Sequence, residues 1–288
     1  MKVLSFDVGG TNLRGALIDD NYDVINIKKI RTPHTGNKDL IDAIISLINE
    51  LKEGHDDVVD IVFGVPGRVC KHSFFIDELP NVGVKNLDIK KEINHIFPEL
   101  RVYIYNDAEM AALYEASEGS GRRFNRVYYI TVSTGLGGCM IVNKEWIPTS
   151  YEIGHTLFEY KNKLEEFEHI ASGTGLVKLS KLNGLNVVSS KAYFEGLKLQ
   201  LPDYVNVFEE WIRLFTRFFD MVYNLFEPEV VVIGGGVAFQ SSLFLEAMKL
   251  RNKKMQLVIS SKIDDAGLLG CVTLIKLISK GKNPFSAD

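Results

Sequence analysis

The chain has 288 residues, 46% of them hydrophobic, enough to bury the core of one large domain or, more naturally, the cores of two ordinary ones. Its formal net charge of −4 excludes a general nucleic-acid binder, which needs a basic stripe to neutralise phosphates. Cys70, Cys139 and Cys271 stand far apart without metal-ligand spacing, which excludes a disulfide framework and a zinc knuckle; no signal-peptide or membrane-length apolar run occurs, so a cytoplasmic protein without a membrane partner is expected.

Val3 to Val8, Leu13 to Ile18 and Val24 to Ile30 are three β-type runs separated by turn residues, which predicts an antiparallel meander. Residues 38-KDLIDAIISLINELKE-53 place Leu40, Ile44, Leu47, Ile48 and Leu51 at helical spacing. The stretch 58-VVDIVFGVPG-67 then reads as a buried strand running into a Pro-Gly loop, and strand, helix, strand marks a crossover unit in a mixed sheet. A second round opens at 101-RVYIYND-107, followed by an alanine-rich helix over 107–118. Val127 to Val132 and Gly138 to Val142 form a second hairpin, and a helical, mostly charged middle leads to a long apolar helix over 208–226. Pro228 stops it, 229-EVVVIGGGVAF-239 enters a third glycine turn, and a last helix spans Ala266 to Ile278.

The stretch 6-FDVGGTNLRGALID-19 is echoed by 130-ITVSTGLGGCMIVN-143. At a fixed offset of 124, Gly10-Thr11 faces Thr134-Gly135 and Ala16-Leu17-Ile18 faces Met140-Ile141-Val142. The echo predicts an α/β fold of two lobes with a duplicated mixed β-sheet core and an interlobe cleft: a small lobe over 1–105, completed by the C-terminal helix at about 266–288, and a large lobe over 106–265. Ligands favour such clefts.

A polyphosphate needs inward-pointing backbone N–H groups with no Cβ in the way, and Ser or Thr hydroxyls add donors. Gly9-Gly10-Thr11 and Ser133-Thr134-Gly135 meet that need, and Gly234-Gly235-Gly236 offers a flat surface for a purine. Any one of these is equally a tight turn that uses glycine for steric reasons. Three of them, each ending an apolar strand, point to a nucleotide.

These residues resemble the sugar kinases of the ROK group (repressors, open reading frames, kinases), within the actin-like, ribonuclease H-like ATPase fold. The resemblance runs through 7-DVGGTN-12, 64-GVPGRV-69, 79-LPNV-82, 105-YNDAEMAAL-113, 133-STGLGG-138, 152-EIGH-155, 168-EHIASG-173 and 233-IGGGV-237. It implies an ATP-dependent kinase acting on a hexose at the 6-hydroxyl, with N-acylhexosamine kinase as the alternative substrate class. Asp107 is implied as the general base, and Gly67, Asn81, Asn106, Asp107, Glu152, His155 and Glu168 as the sugar site. Asp7, Gly9, Gly10, Thr11, Asn12, Ser133, Thr134, Gly135, Gly235 and Gly236 are implied to hold ATP, with Asp7 orienting Mg2+ through water. A homodimer is implied as well.

Read without the resemblance, Asp107 is equally a helix N-cap, His155 a hydrogen-bonded structural histidine, and Glu168 part of the acidic run 165-EEFE-168 on a solvated helix face. Many members of the group place three zinc-binding cysteines between the Glu-x-Gly-His and Glu-x-x-Ala-Ser-Gly elements. Here that interval is 156-TLFEYKNKLEEF-167, short and without cysteine, so no zinc is expected and His155 is expected to act by hydrogen bonding alone. A sugar-sensing regulator of the group would carry a DNA-binding domain ahead of Asp7, and no room for one is expected. A non-catalytic sugar-binding module would be expected to lack Asp107 or the phosphate glycines. Gly135 is read as a phosphate residue only, so that changing it should leave the sugar site largely intact.

Overall fold

The two glycine hairpins head two sheets of the same design. The computed structural model describes residues 1–69, 75–79, 82–146 and 152–282, and the chain divides into a unit of Met1–Tyr114 with Asp265–Asp288 and a unit of Glu115–Asp264.

In the first unit, β1 (Lys2–Val8) pairs antiparallel with β2 (Asn12–Asp19), and β2 with β3 (Val24–Arg31), which is the expected meander. Helix α1 (Asn37–Lys52) buries Leu40, Ile41, Ile44, Leu47, Ile48 and Leu51, the stripe its periodicity predicts. The chain then crosses to β4 (Asp60–Val65), parallel to β1 and buried along its whole length. A small antiparallel pair, β5 (Ile76–Leu79) and β6 (Val84–Leu87), precedes α2 (Ile89–Ile96), whose first turn is capped by the Asp88 carboxylate accepting from the Lys91 N–H. Strand β7 (Arg101–Asn106) pairs parallel with β4, giving the order β3-β2-β1-β4-β7, and runs directly into α3 (Asp107–Ser117).

In the second unit, β8 (Arg126–Val132), β9 (Leu136–Val142) and β10 (Glu145–Trp146) repeat the meander. The interval read from sequence as a shortened loop is a tight hairpin of β11 (Leu157–Tyr160) and β12 (Lys163–Glu166). Lys161 and Asn162 turn it in the left-handed region, with φ of 49° and 61°. The acidic run is correspondingly split: Glu165 and Glu166 end β12, and Glu168 lies in the first turn of α4 (Phe167–Ala171). Then follow α5 (Gly173–Leu182), α6 (Ser190–Leu197) and α7 (Pro202–Phe226). Helix α7 begins ahead of the expected position because Pro202 occupies its first turn, where a missing N–H costs nothing. Strand β13 (Val230–Gly234) leads through 3-10 turns over Gly236–Leu243 to α8 (Leu245–Arg251) and β14 (Gln256–Ile259). The sheet order is β10-β9-β8-β13-β14, with β8, β13 and β14 parallel.

The sheets correspond strand for strand. Strands β1 and β8 have equal length, begin 124 residues apart at Lys2 and Arg126, and alternate burial identically; β2 and β9 begin at the same offset, at Asn12 and Leu136. The core of the second unit is built by α7, whose Trp211, Phe215, Phe218 and Phe219 are buried among Phe167, Phe194 and Phe244.

Helix α9 (Ala266–Ser279) returns to the first unit and packs on β1, β2 and β4. At Gly270 it meets α3 backbone to backbone, since a Cβ there would overlap the Met110 carbonyl oxygen; at Gly267 a Cβ would find the nearest atom, the Asp107 oxygen, at an ordinary 3.9 Å. Gly270→Ala is therefore expected to destabilise the protein by about 1–3 kcal/mol or more, the usual cost of overpacking. Gly267→Ala should be neutral or stabilising by up to about 1 kcal/mol through helix propensity. Chemical denaturation of the two variants side by side measures the difference, and equal midpoints would show that the α3–α9 contact is looser than described.

Candidate active site

Three strand ends of the first unit lie side by side. Register pairs Asp7 with Gly64, Gly64 with Tyr105 and Val65 with Asn106, so the carboxyl ends of β1, β4 and β7 share one edge, where parallel sheets bind ligands. The first glycine turn closes with the Gly9 N–H donating to the Asn12 carbonyl at 3.0 Å, and the buried Thr32 hydroxyl donates to the Gly9 carbonyl at 2.6 Å. Gly9 and Gly10 are half-buried and Thr11 is exposed at the tip.

The Asp7 side chain keeps 32% of its surface open. Burial of its surroundings pushes its carboxyl up from the ordinary value, and the Arg14 guanidinium, 3.9 Å away, opposes that shift. Arg14 also ion-pairs with Asp265, a residue the sequence reading missed because nothing local marks it. Both carboxylates face the Arg14 guanidinium, so this strand end carries an Asp7–Arg14–Asp265 ionic cluster.

At the β7–α3 junction, capping belongs to Asn106. Its Oδ1 accepts from the N–H groups of Ala108 (2.9 Å) and Glu109 (3.3 Å), while the Glu109 carboxylate accepts from the Asn106 N–H at 3.4 Å, a capping box. Asp107 is the first helical residue, and its Oδ1 accepts from the Ala108 N–H at 2.8 Å. The helix-cap reading of Asp107 thus passes to its neighbour. Asn106 Nδ2 donates to the Gly67 carbonyl at 3.0 Å, which fixes a loop where Gly67 has φ of 79°. Asn81, with Pro80, lies outside the described residues.

In the second unit the second and third glycine turns lie together. Gly234 pairs with Thr131, and Gly235, at φ 80°, fits so closely that a Cβ would stand 2.6 Å from Thr131 Oγ1 and from the Val132 carbonyl; Gly236 faces open space. Turn 133–135 is tied down on three sides. The Gly173 N–H donates to the Ser133 carbonyl (2.6 Å), the Thr174 hydroxyl to the Thr134 carbonyl (2.6 Å), and the Leu136 N–H to Glu168 Oε2 (3.0 Å). Glu152, Gly154 and His155 stand around a single 3-10 turn, and Gly154 packs so tightly that a Cβ would overlap the Leu136 carbonyl. The structure therefore gathers Ser133 to Gly135, Glu152, His155, Glu168 and Gly235 to Gly236 in one unit, and Asp7 to Asn12, Gly67, Asn106 and Asp107 in the other.

The second residue missed by sequence is Glu166. Pairing of Leu157 with Glu166 in the β11–β12 hairpin sets it beside His155, with Nδ1 and Oε2 2.7 Å apart. An ionised carboxylate only accepts, so Nδ1 carries the hydrogen of that contact. His169 Nε2 lies 3.7 Å from the same oxygen. The donor atoms of His155, Glu166 and Glu168 lie within 4.8 Å of one another, close enough to hold a metal ion. All three already have protein partners: His155 and Glu166 each other, and Glu168 the Leu136 N–H. The set contains no thiolate, the donor type that the family resemblance associates with zinc.

The hydrogen bond to Glu166 holds the His155 pKa above the ordinary 6.5, against the opposing effect of burial. A raised histidine value means the ion pair is fully formed below the ordinary value and is lost as pH rises through the elevated one. The imidazole is 53% exposed, so solvent screens the pair and the effect is read from the ring rather than from stability. In an NMR titration His155 is expected to titrate above 6.5, and Glu166→Gln to lower its midpoint. An unmoved midpoint would place the cause elsewhere.

The ROK family model matches residues 3–277. The chain is 24% identical to a glucokinase of Streptomyces coelicolor, covering 95% of this chain and 97% of that protein, and 24% identical to an N-acetyl-D-glucosamine kinase of Haemophilus influenzae, covering 91% and 94%. Its fold is that of the crystal structure of a ROK family glucokinase from Streptomyces griseus in complex with glucose and AMPPNP, with a TM-score of 0.80, 24% identity, and 95% and 99% of the two chains covered. Among the described residues no helix is long and apolar enough to cross a membrane. With two sheets of matching order, the glycine turns at their strand ends, and a family match over nearly its whole length, this chain belongs to the ROK family.

Proposed function

We propose that this chain is an ATP-dependent sugar kinase that transfers the γ-phosphoryl group of ATP to the 6-hydroxyl of a hexose. The observation that carries the reading is the β7–α3 junction. Capping of α3 by the Asn106–Glu109 box leaves Asp107 as a half-buried carboxylate at the helix start, beside the Gly67 loop. There Asp107 takes the proton of the attacking hydroxyl as general base, and the Ala108 N–H holds its Oδ1 in place. Family membership and its glucokinase and N-acetylglucosamine kinase relatives support the same chemistry.

Glu152, His155 and Glu168 hold sugar hydroxyls, with Asn106 acting chiefly by fixing Gly67. Paired donors and acceptors suit vicinal hydroxyls, and an analogue that leaves a buried polar group unpaired is rejected strongly. The turns at Gly9 to Asn12 and Ser133 to Gly135 offer backbone N–H groups to the phosphates, and Gly235 with Gly236 lies under the base. Magnesium, held through water near Asp7, supplies charge neutralisation for the phosphates. The first unit takes the place of the small lobe and the second that of the large one; a homodimer and a cytoplasmic site of action follow as implications of the family. The hairpin beside His155 is where hexose and N-acylhexosamine specificity diverge, and a coupled assay over glucose, mannose, fructose and the two N-acetylhexosamines reads it out.

Asp107→Asn should lower kcat by about 10²- to 10⁴-fold with sugar binding largely kept, the usual share of general-base catalysis. Near-normal turnover would remove Asp107 from the chemistry. Exhaustive chelation followed by excess magnesium should restore full activity, and elemental analysis should find no stoichiometric zinc. About one tightly bound zinc per chain would show that His155, Glu166 and Glu168 hold a metal after all.

A further inference from the structure

Gly135 touches the sugar side of the site as well as the phosphate side. A Cβ on Gly135 would stand 2.7 Å from Glu168 Oε2, the same oxygen that accepts the Leu136 N–H at 3.0 Å. On the other flank, a Cβ on Gly154 would lie 3.3 Å from the Glu168 Cβ, so the side chain is bracketed by two glycines. The position the carboxylate takes against the Leu136 N–H depends on the absence of a side chain at 135. Gly135 is not among the glycines in the left-handed region, so alanine can adopt its backbone without strain.

We propose that Gly135 is a positioning residue for the sugar. By leaving room for the Glu168 carboxylate against the Leu136 N–H, it makes the turn that meets the phosphates and the carboxylate that holds the sugar a single rigid piece. This rests on the sugar-kinase reading and deepens it, because the sequence alone reads Gly135 as a phosphate residue only. A methyl group at 135 drives the carboxylate off the Leu136 N–H and away from the sugar hydroxyl it holds. Such a charged hydrogen bond is worth on the order of tenfold or more in affinity.

The test is steady-state kinetics of Gly135→Ala on the full chain, with the sugar that the native chain phosphorylates and folding checked by thermal melting. The sugar KM at saturating ATP should rise about tenfold or more, out of proportion to any change in the ATP KM. Glu168→Asp withdraws the carboxylate by one methylene and clears the new methyl group. The double variant should therefore bind sugar no more weakly than Glu168→Asp alone. An unchanged sugar KM in Gly135→Ala, or fully additive losses in the double variant, overturns the proposal while leaving the kinase reading intact. A native chain that phosphorylates no sugar with ATP overturns the kinase reading and this proposal together.

Discussion

Phe167 is the fixed point of the second unit's site. It is fully buried, stacked on Phe218 with centroids 4.4 Å apart and planes within 8°, and meets Phe215 edge-on at 5.3 Å. Its two immediate neighbours in sequence are the carboxylates that matter: Glu166, which holds His155, and Glu168, which holds the Leu136 N–H. A buried aromatic ring allows little rotation or slip in a close-packed interior, so the side chains flanking it inherit its rigidity. The rest of the Glu-x-x-Ala-Ser-Gly element continues the same job. The Ala171 carbonyl accepts from Trp211 Nε1 at 2.9 Å, the Ser172 hydroxyl caps α5 by accepting from the Gly175 N–H, and Gly173 reaches the Ser133 carbonyl. Glu168, Ala171, Ser172 and Gly173 of that element thus each make a specific contact.

The first unit achieves the same rigidity by backbone means. Asn106 spends its amide on the first turn of α3 and on Gly67, and Asp107 is oriented by the N–H of its own neighbour. Functional groups locked by hydrogen bonds to regular elements hold geometry better than groups on free loops. Both units thus put their charged groups where a strand ends and a helix or turn begins.

Much of this was legible in the residues. The hairpins at 9–11 and 133–135, the stripe of α1 and the strand–helix step at Asn106-Asp107 all carry periodicity or turn chemistry that only one local structure satisfies. The β11–β12 hairpin was not legible. Its strands are four residues long, and Lys161, which has no special preference for positive φ, occupies one of its two left-handed turn positions. The turn from β9 into β10 repeats the problem with Asn143 and Lys144, at φ of 53° and 67°. Glu166 was hidden for the same reason, since its partner His155 is set by strand register and not by spacing along a helix. Asp265 is paired with Arg14 by the return of α9 to the first unit, a contact no local window contains.

The equal spacing of the two meanders has a consequence for how such a site evolves. Position 7 in the first copy is Asp7, beside Arg14; its counterpart at the same place in β8 is Thr131, which packs against Gly235. Once a frame exists twice, each copy is free to shed what the other supplies. Here one strand end carries an ionic pair, while its counterpart is neutral and tightly fitted to a glycine. Burial along the strand is the same in both, because each strand faces the core of its own unit. The two strand ends thus carry different chemistry on frames with the same burial pattern.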